Sequence, residues 1–223
     1  MNYKRTGTYC AFNGCGTTNP TLSDMKYYAR LIHWNKDKKY ELHFSNSHYK
    51  TYSVLDSSSE ETLKERLMER MRKSKNMILV LSDKSSWNRG MLNFEIEKAV
   101  DLYEIPIIAT YTMYDYVLNN FDRKKMLEKY WPSALKERIE NGTAKVLHIP
   151  FKEKVISYAV ENYDVHNGLI DDSMLFFKVE KYKEWDLIPK LPLQLNKPLL
   201  TPRLPLRKKP TLPLKPPFPR KYF

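Results

Sequence analysis

The sequence predicts a three-layer α/β sandwich, a central parallel sheet of about five strands with helices on both faces. Largely apolar runs recur through the first 165 residues: Thr8-Tyr9-Cys10-Ala11-Phe12, Met77-Ile78-Leu79-Val80-Leu81, Pro106-Ile107-Ile108-Ala109-Thr110 and Ala144-Lys145-Val146-Leu147-His148-Ile149. Continuous runs of this length suit strands covered on both faces. Between them lie segments whose apolar residues recur at helical spacing. Strands that alternate with helices pair in parallel through right-handed crossovers.

The elements follow in order. The first strand closes on the turn residues Asn13-Gly14. Residues 23–34 form a helix capped by Ser23 or Asp24, with Met25, Tyr28, Leu31 and Ile32 on its inner stripe and His33 towards the core. Tyr40-Glu41-Leu42-His43-Phe44 alternates as a second strand with His43 on a core face, and the polar residues 45–57 read as a loop. Ser58-Ser59-Glu60-Glu61 is a capping box, in which Ser58 accepts a free backbone N–H and Glu61 returns the bond. Leu63, Leu67 and Met71 continue that helix, and the third strand is 77–81. A helix over 91–103 aligns Leu92, Ile96, Ala99, Val100 and Tyr103; the fourth strand is 106–110. Trp131-Pro132-Ser133 opens a helix to about Glu140. The fifth strand, 144–149, carries His148 as a satisfied core histidine, and 152–163 is helical.

The charge divides the chain. Its 223 residues carry a net +12, but no acid follows Asp186, while nine Lys and Arg and ten of the 14 prolines lie between 189 and 221. Without those nine cations the remainder stands near +3, so the charge belongs to the tail, which argues against a nucleic-acid-binding fold. Three parts result: an α/β domain over 1–165, an extension over 166–188 and a proline-rich basic tail over 189–223. The tail repeats Leu-Pro-Leu at 191–193, 204–206 and 212–214. Such a composition favours extended polyproline II, outside the folded domain. Its leucines favour a protein partner over nucleic acid or a membrane surface. Cys10 and Cys15 read as thiols of a reducing cytosol, and two cysteines without a histidine pair make no zinc site. The first ten residues hold no apolar export segment, and no run reaches the roughly 18 apolar residues that span a bilayer. A cytoplasmic protein is expected. Neither G-x-x-x-x-G-K-[ST] nor G-x-G-x-x-G occurs.

In open parallel sheets, ligands bind beyond the C-terminal strand ends, near the point where strand order reverses. The loops at 13–20, 45–57, 82–90 and 111–115 are therefore the place to look. Asn13, Ser45, Asn46 and Ser82 stand at strand ends where a dinucleotide would lie, and Phe12 and Trp87 can stack on a ring. The informative stretch is 79–99: an apolar strand ending in Ser82, a polar loop carrying Trp87, then a helix bearing Glu95 at the margin of its apolar stripe, with Glu97 turned further to solvent.

This stretch resembles the TIR domain, in which an apolar strand leads through a Ser-rich loop to W-x-x-x-E-I. The likeness extends over 6–163, a flavodoxin-like arrangement, and is greatest for the TIR-like proteins of bacterial Thoeris antiphage systems. Met91 stands where the family has its Trp, and Trp87 lies a turn earlier. Ser45-Asn46-Ser47-His48-Tyr49 replaces the R-D-x-x-P-G loop of many eukaryotic members. The resemblance implies that NAD⁺ is the substrate, with no further cofactor or metal. It implies that Glu95 is the catalytic carboxylate, that activation involves self-association, and that an ADP-ribose-derived messenger reaches a separate effector. The chemistry suits an acid: breaking the nicotinamide–ribose bond builds positive charge on the ribose, which a fixed carboxylate stabilises. Excluding water lets a group of the same ADP-ribose attack, giving a cyclic product. Two alternatives stay open: a catalytically silent TIR-like interaction module, or another flavodoxin-like nucleoside enzyme resembling deoxyribosyltransferases.

Overall fold

The computed structural model describes residues 4–15, 22–46, 59–87, 90–120, 122–167 and 172–188. Six strands form one sheet: β1 (Gly7–Ala11), β2 (Ser45–Asn46), β3 (Ser74–Leu81), β4 (Ile107–Tyr111), β5 (Val146–Pro150) and β6 (Leu175–Phe176). Every pairing is parallel, and the spatial order is β2-β1-β3-β4-β5-β6. This is a flavodoxin-like α/β arrangement with one strand more than the apolar runs predict.

The helices are α1 (Met25–Lys36), α2 (Glu60–Arg72), α3 (Leu92–Glu97), α4 (Arg123–Glu128), α5 (Ser133–Glu140), α6 (Glu153–Asn162) and α7 (Val179–Glu184). Alternation along each strand divides the core between the two faces. Tyr9, Ala11, Leu79, Leu81 and Ala109 join α2, α3, α4 and α5 on one side; Cys10, Ile78, Val80 and Ile108 join α1, α6 and α7 on the other.

Several expectations need correction. Tyr40-Glu41-Leu42-His43-Phe44 is not a strand, although Leu42 is buried between exposed Glu41 and His43. Its backbone is held by side chains instead: Leu42 N–H donates to Glu153 Oε1 at 2.7 Å and Phe44 N–H to Asn35 Oδ1 at 2.8 Å. The second strand is Ser45–Asn46, inside the expected loop. His33 and His43 are exposed rather than core-facing, and Met25 is exposed at the start of α1. The cap of α2 is Ser59, whose hydroxyl accepts the Thr62 N–H at 3.2 Å; Ser58 lies outside the described residues. After Glu97 the helix widens into a π-helical turn, Lys98–Leu102, and ends where Glu104 takes φ +50° as the Ile105 N–H reaches Ala99 O at 2.8 Å. Beyond residue 165, β6 pairs with β5 and α7 places Tyr182 fully in the core. Among the described residues no helix is long and apolar enough to cross a membrane, and Cys10 and Cys15 are not joined in a disulfide.

Candidate functional site

Strand order reverses at β1, whose neighbours are β2 and β3. The loops leaving β1 and β3 at this point are stitched together by polar side chains. Buried Asn13 donates from Nδ2 to Lys84 O at 2.6 Å and accepts the Cys15 N–H on Oδ1 at 2.8 Å. Its carbonyl accepts the Asp24 N–H at 2.9 Å. Buried Ser82 donates to Asp24 Oδ2 at 2.8 Å, while its oxygen accepts the Lys84 N–H at 3.0 Å and its own N–H donates to Ser85 Oγ at 2.8 Å. Burial pushes the Asp24 carboxyl above the ordinary carboxylate range; the Ser82 hydrogen bond and the Lys84 charge pull the other way.

A second group forms around Tyr28 of α1. Phe12 is half-buried and stacks on the Tyr28 ring at 5.2 Å between centroids, and Asn46 Nδ2 donates to the Tyr28 hydroxyl at 3.1 Å. Ser45 is exposed on β2. Trp87 ends a short 3-10 turn, Ser85–Trp87, and is 50% exposed.

Glu95 stands apart from both groups. It lies in the first turn of α3, on the opposite face of the sheet from Phe12, and is 8% exposed. Its Oε1 accepts the hydroxyl of Tyr9, which is fully buried in β1, and no hydrogen bond among the described residues joins it to Asn13 or Ser82. Burial raises its carboxyl from 4.5 to about 7, against the Tyr9 hydrogen bond and the positive charge of Arg70. The site residues thus fall into three sets. Asn13 and Ser82 meet through Lys84 and Asp24, Phe12 and Asn46 through Tyr28, and Glu95 binds Tyr9.

Sequence reasoning missed Tyr9 and gave Asp24 the wrong task. Tyr9 sits inside an apolar run, where nothing distinguishes a structural phenol from a functional one. Asp24 precedes α1 as a cap would, but its side chain makes no capping bond and turns to Ser82.

A parallel sheet reversing at β1, polar loops joined at that reversal and an acid on the helix after β3 define a doubly wound, flavodoxin-like α/β protein; sheets of this class bind ligands beyond the C-terminal strand ends. Residues 9–116 match the family described as Thoeris protein ThsB, TIR-like domain. This match supports a role in antiphage defence. Among solved structures, a conserved protein from Enterococcus faecalis V583 is 15% identical and overlays with a TM-score of 0.44 over 71% of this chain and 98% of its own, a distant likeness.

Proposed function

We propose that this chain is an NAD⁺-cleaving TIR-like enzyme of antiphage defence that breaks the nicotinamide–ribose bond to make an ADP-ribose-derived signal, linear or cyclic. The observation that carries this reading is Glu95, a nearly buried carboxylate one turn into α3 whose burial pushes its carboxyl up to about 7. Its Oε1 is held by Tyr9, and Oε2 accepts no hydrogen bond among the described residues. An anion so placed stabilises the positive charge that develops on the ribose as neutral nicotinamide leaves. Phe12, Asn13, Asn46, Ser45, Ser82 and Trp87 are the residues proposed to bind the dinucleotide at the strand ends. NAD⁺ is the substrate and no further cofactor is invoked. Self-association completes the active state, so specific activity is expected to rise with protein concentration, and the product reaches its effector by diffusion.

The test is incubation of the purified protein with NAD⁺ and identification of the products by mass. Nicotinamide together with ADP-ribose, or with a product one water lighter than ADP-ribose, supports the reading. The second reading is the silent interaction module, for which an open groove of about 510 Å³ beside β6, flanked by Leu118, Asp172, Phe176 and Lys178, offers a surface. No nicotinamide release at any protein concentration, from a folded sample, would select that module.

A further inference from the structure

Glu95 is fastened from the sheet and not from its own helix. Tyr9, in the middle of β1, is fully buried, and its phenol crosses the layer between β1 and α3 to donate to Glu95 Oε1. With Glu95 ionised, the direction of that bond is fixed. Burial and the adjacent carboxylate push the Tyr9 hydroxyl well above its ordinary range, so it keeps its proton, and an ionised carboxylate can only accept. Among the described residues the groups acting on the charge of Glu95 are Tyr9 from β1 and Arg70 from the last turn of α2. Both favour the anion, whereas burial, the larger influence, favours the acid. Glu97, at the end of α3, and Lys98, which opens the π-helical turn, are not among them.

A glutamate side chain turns about three bonds, and one rigid donor at Oε1 restricts both its rotamer and the plane of its carboxylate. Phenylalanine at position 9 would fill the same space without making the bond. We propose that Tyr9 is a positioning residue for the reaction assigned to Glu95: its hydroxyl holds that carboxylate ionised and oriented, with Oε2 left for the ribose, and does not itself touch the substrate. The inference rests on the reading of Glu95 as the NAD⁺-cleaving group.

The test is Tyr9→Phe, with folding checked by circular dichroism and two readouts. The first is independent of activity: carbon NMR titration of side-chain-labelled glutamates in the free protein, with the Glu95 signal assigned by its loss in Glu95→Gln. A hydrogen bond to a charged group is worth enough to move the Glu95 midpoint up by roughly one pH unit on its removal. The second is the pH profile of nicotinamide release. Its acidic limb should move up by the same amount, so that the rate near neutrality falls about fivefold and recovers at alkaline pH, with KM within about twofold. An unmoved midpoint in folded Tyr9→Phe overturns the inference, whatever the activity. A moved midpoint in a protein that releases no nicotinamide upholds the coupling and overturns the catalytic reading of Glu95 instead. Should Tyr9→Phe not fold, Glu95→Gln serves: the slowly exchanging Tyr9 hydroxyl proton should move upfield as its acceptor loses charge, and an unmoved resonance overturns the inference.

Discussion

The Ser82 hydroxyl donates to Asp24 Oδ2 at 2.8 Å, tying the loop after β3 to the residue just ahead of α1. This bond uses the only proton the hydroxyl has, and the Lys84 N–H occupies one of its lone pairs. Ser82 therefore meets any ligand as an acceptor, not as a donor. Asp24→Ala should leave that hydroxyl buried without its acceptor and cost about 1–3 kcal/mol, measured by urea unfolding. Because the two residues share one bond, the double variant with Ser82→Ala should cost less than the sum of the single changes. Strict additivity would show that the pair is not coupled.

Glu95→Gln is nearly isosteric and removes the charge on which the proposed reaction depends. Nicotinamide release should fall by about 100-fold or more, with the circular dichroism unchanged. A folded variant that turns over at the parental rate would move the chemistry to another residue.

Glu95 and His148 give opposite pH dependences of stability. The Glu95 carboxyl is raised from 4.5 to about 7 mainly by burial, so the folded state holds its proton better. That contribution is complete below about pH 4.5 and is lost as pH rises through about 7, roughly 3 kcal/mol in all. His148 is lowered from 6.5 to about 4, again by burial first, so its contribution is present above about 6.5 and is lost as pH falls through about 4, also roughly 3 kcal/mol. Between about pH 4.5 and 6.5 the two slopes oppose each other. Urea unfolding of Glu95→Gln across this window should show stability climbing with pH, and His148→Gln should show it falling. Parallel curves for the two variants would refute the assignment.

His148 also shows what is legible from sequence. A histidine in an apolar run reads as a satisfied core residue, and it is one: the Tyr111 hydroxyl lies 2.8 Å from Nδ1 and the Ser173 carbonyl 3.1 Å from Nε2. Trp131 Nε1 donates to the same Tyr111 oxygen at 2.7 Å, so the Tyr111 proton goes to Nδ1 and Nε2–H goes to Ser173. Strands β1, β3, β4 and β5 were legible because burial on both faces leaves an unbroken apolar run. The two-residue strands were not, since β2 is Ser-Asn and β6 is only half-buried. The alternation at 40–44 records burial correctly, yet Glu153 and Asn35 take the backbone bonds that a neighbouring strand would have taken. Within the site, Glu95 stood out through the resemblance of its stretch to the TIR domain and its place at the margin of an apolar stripe. The bond between Asp24 and Ser82 did not, because turn residues look alike whether they face a ligand or each other.

Shortening the chain should distinguish the extension from the tail. Phe176 stacks on His148 at 5.2 Å and Tyr182 is fully buried, so ending the chain at residue 165 removes part of the core. That variant should be unfolded or aggregated by circular dichroism and gel filtration. Ending it at residue 188 removes the basic prolines alone, and should leave thermal stability within a few degrees and NAD⁺ turnover within a few-fold. A collapse of either on the longer truncation product would put the tail inside the fold.

The strand order bears on how the chain assembles. Pairing β1 with β3 joins residues such as Tyr9 and Met77 across the longest separation in the sheet, and β2 lies within the loop that this pairing closes. That closure carries the largest entropic cost of any strand pairing here. Afterwards β4, β5 and β6 add one by one to a single advancing edge, each beside the strand that precedes it in the chain. The slow step therefore belongs to the first half of the sequence, and the sheet can lengthen in the order in which a ribosome delivers it.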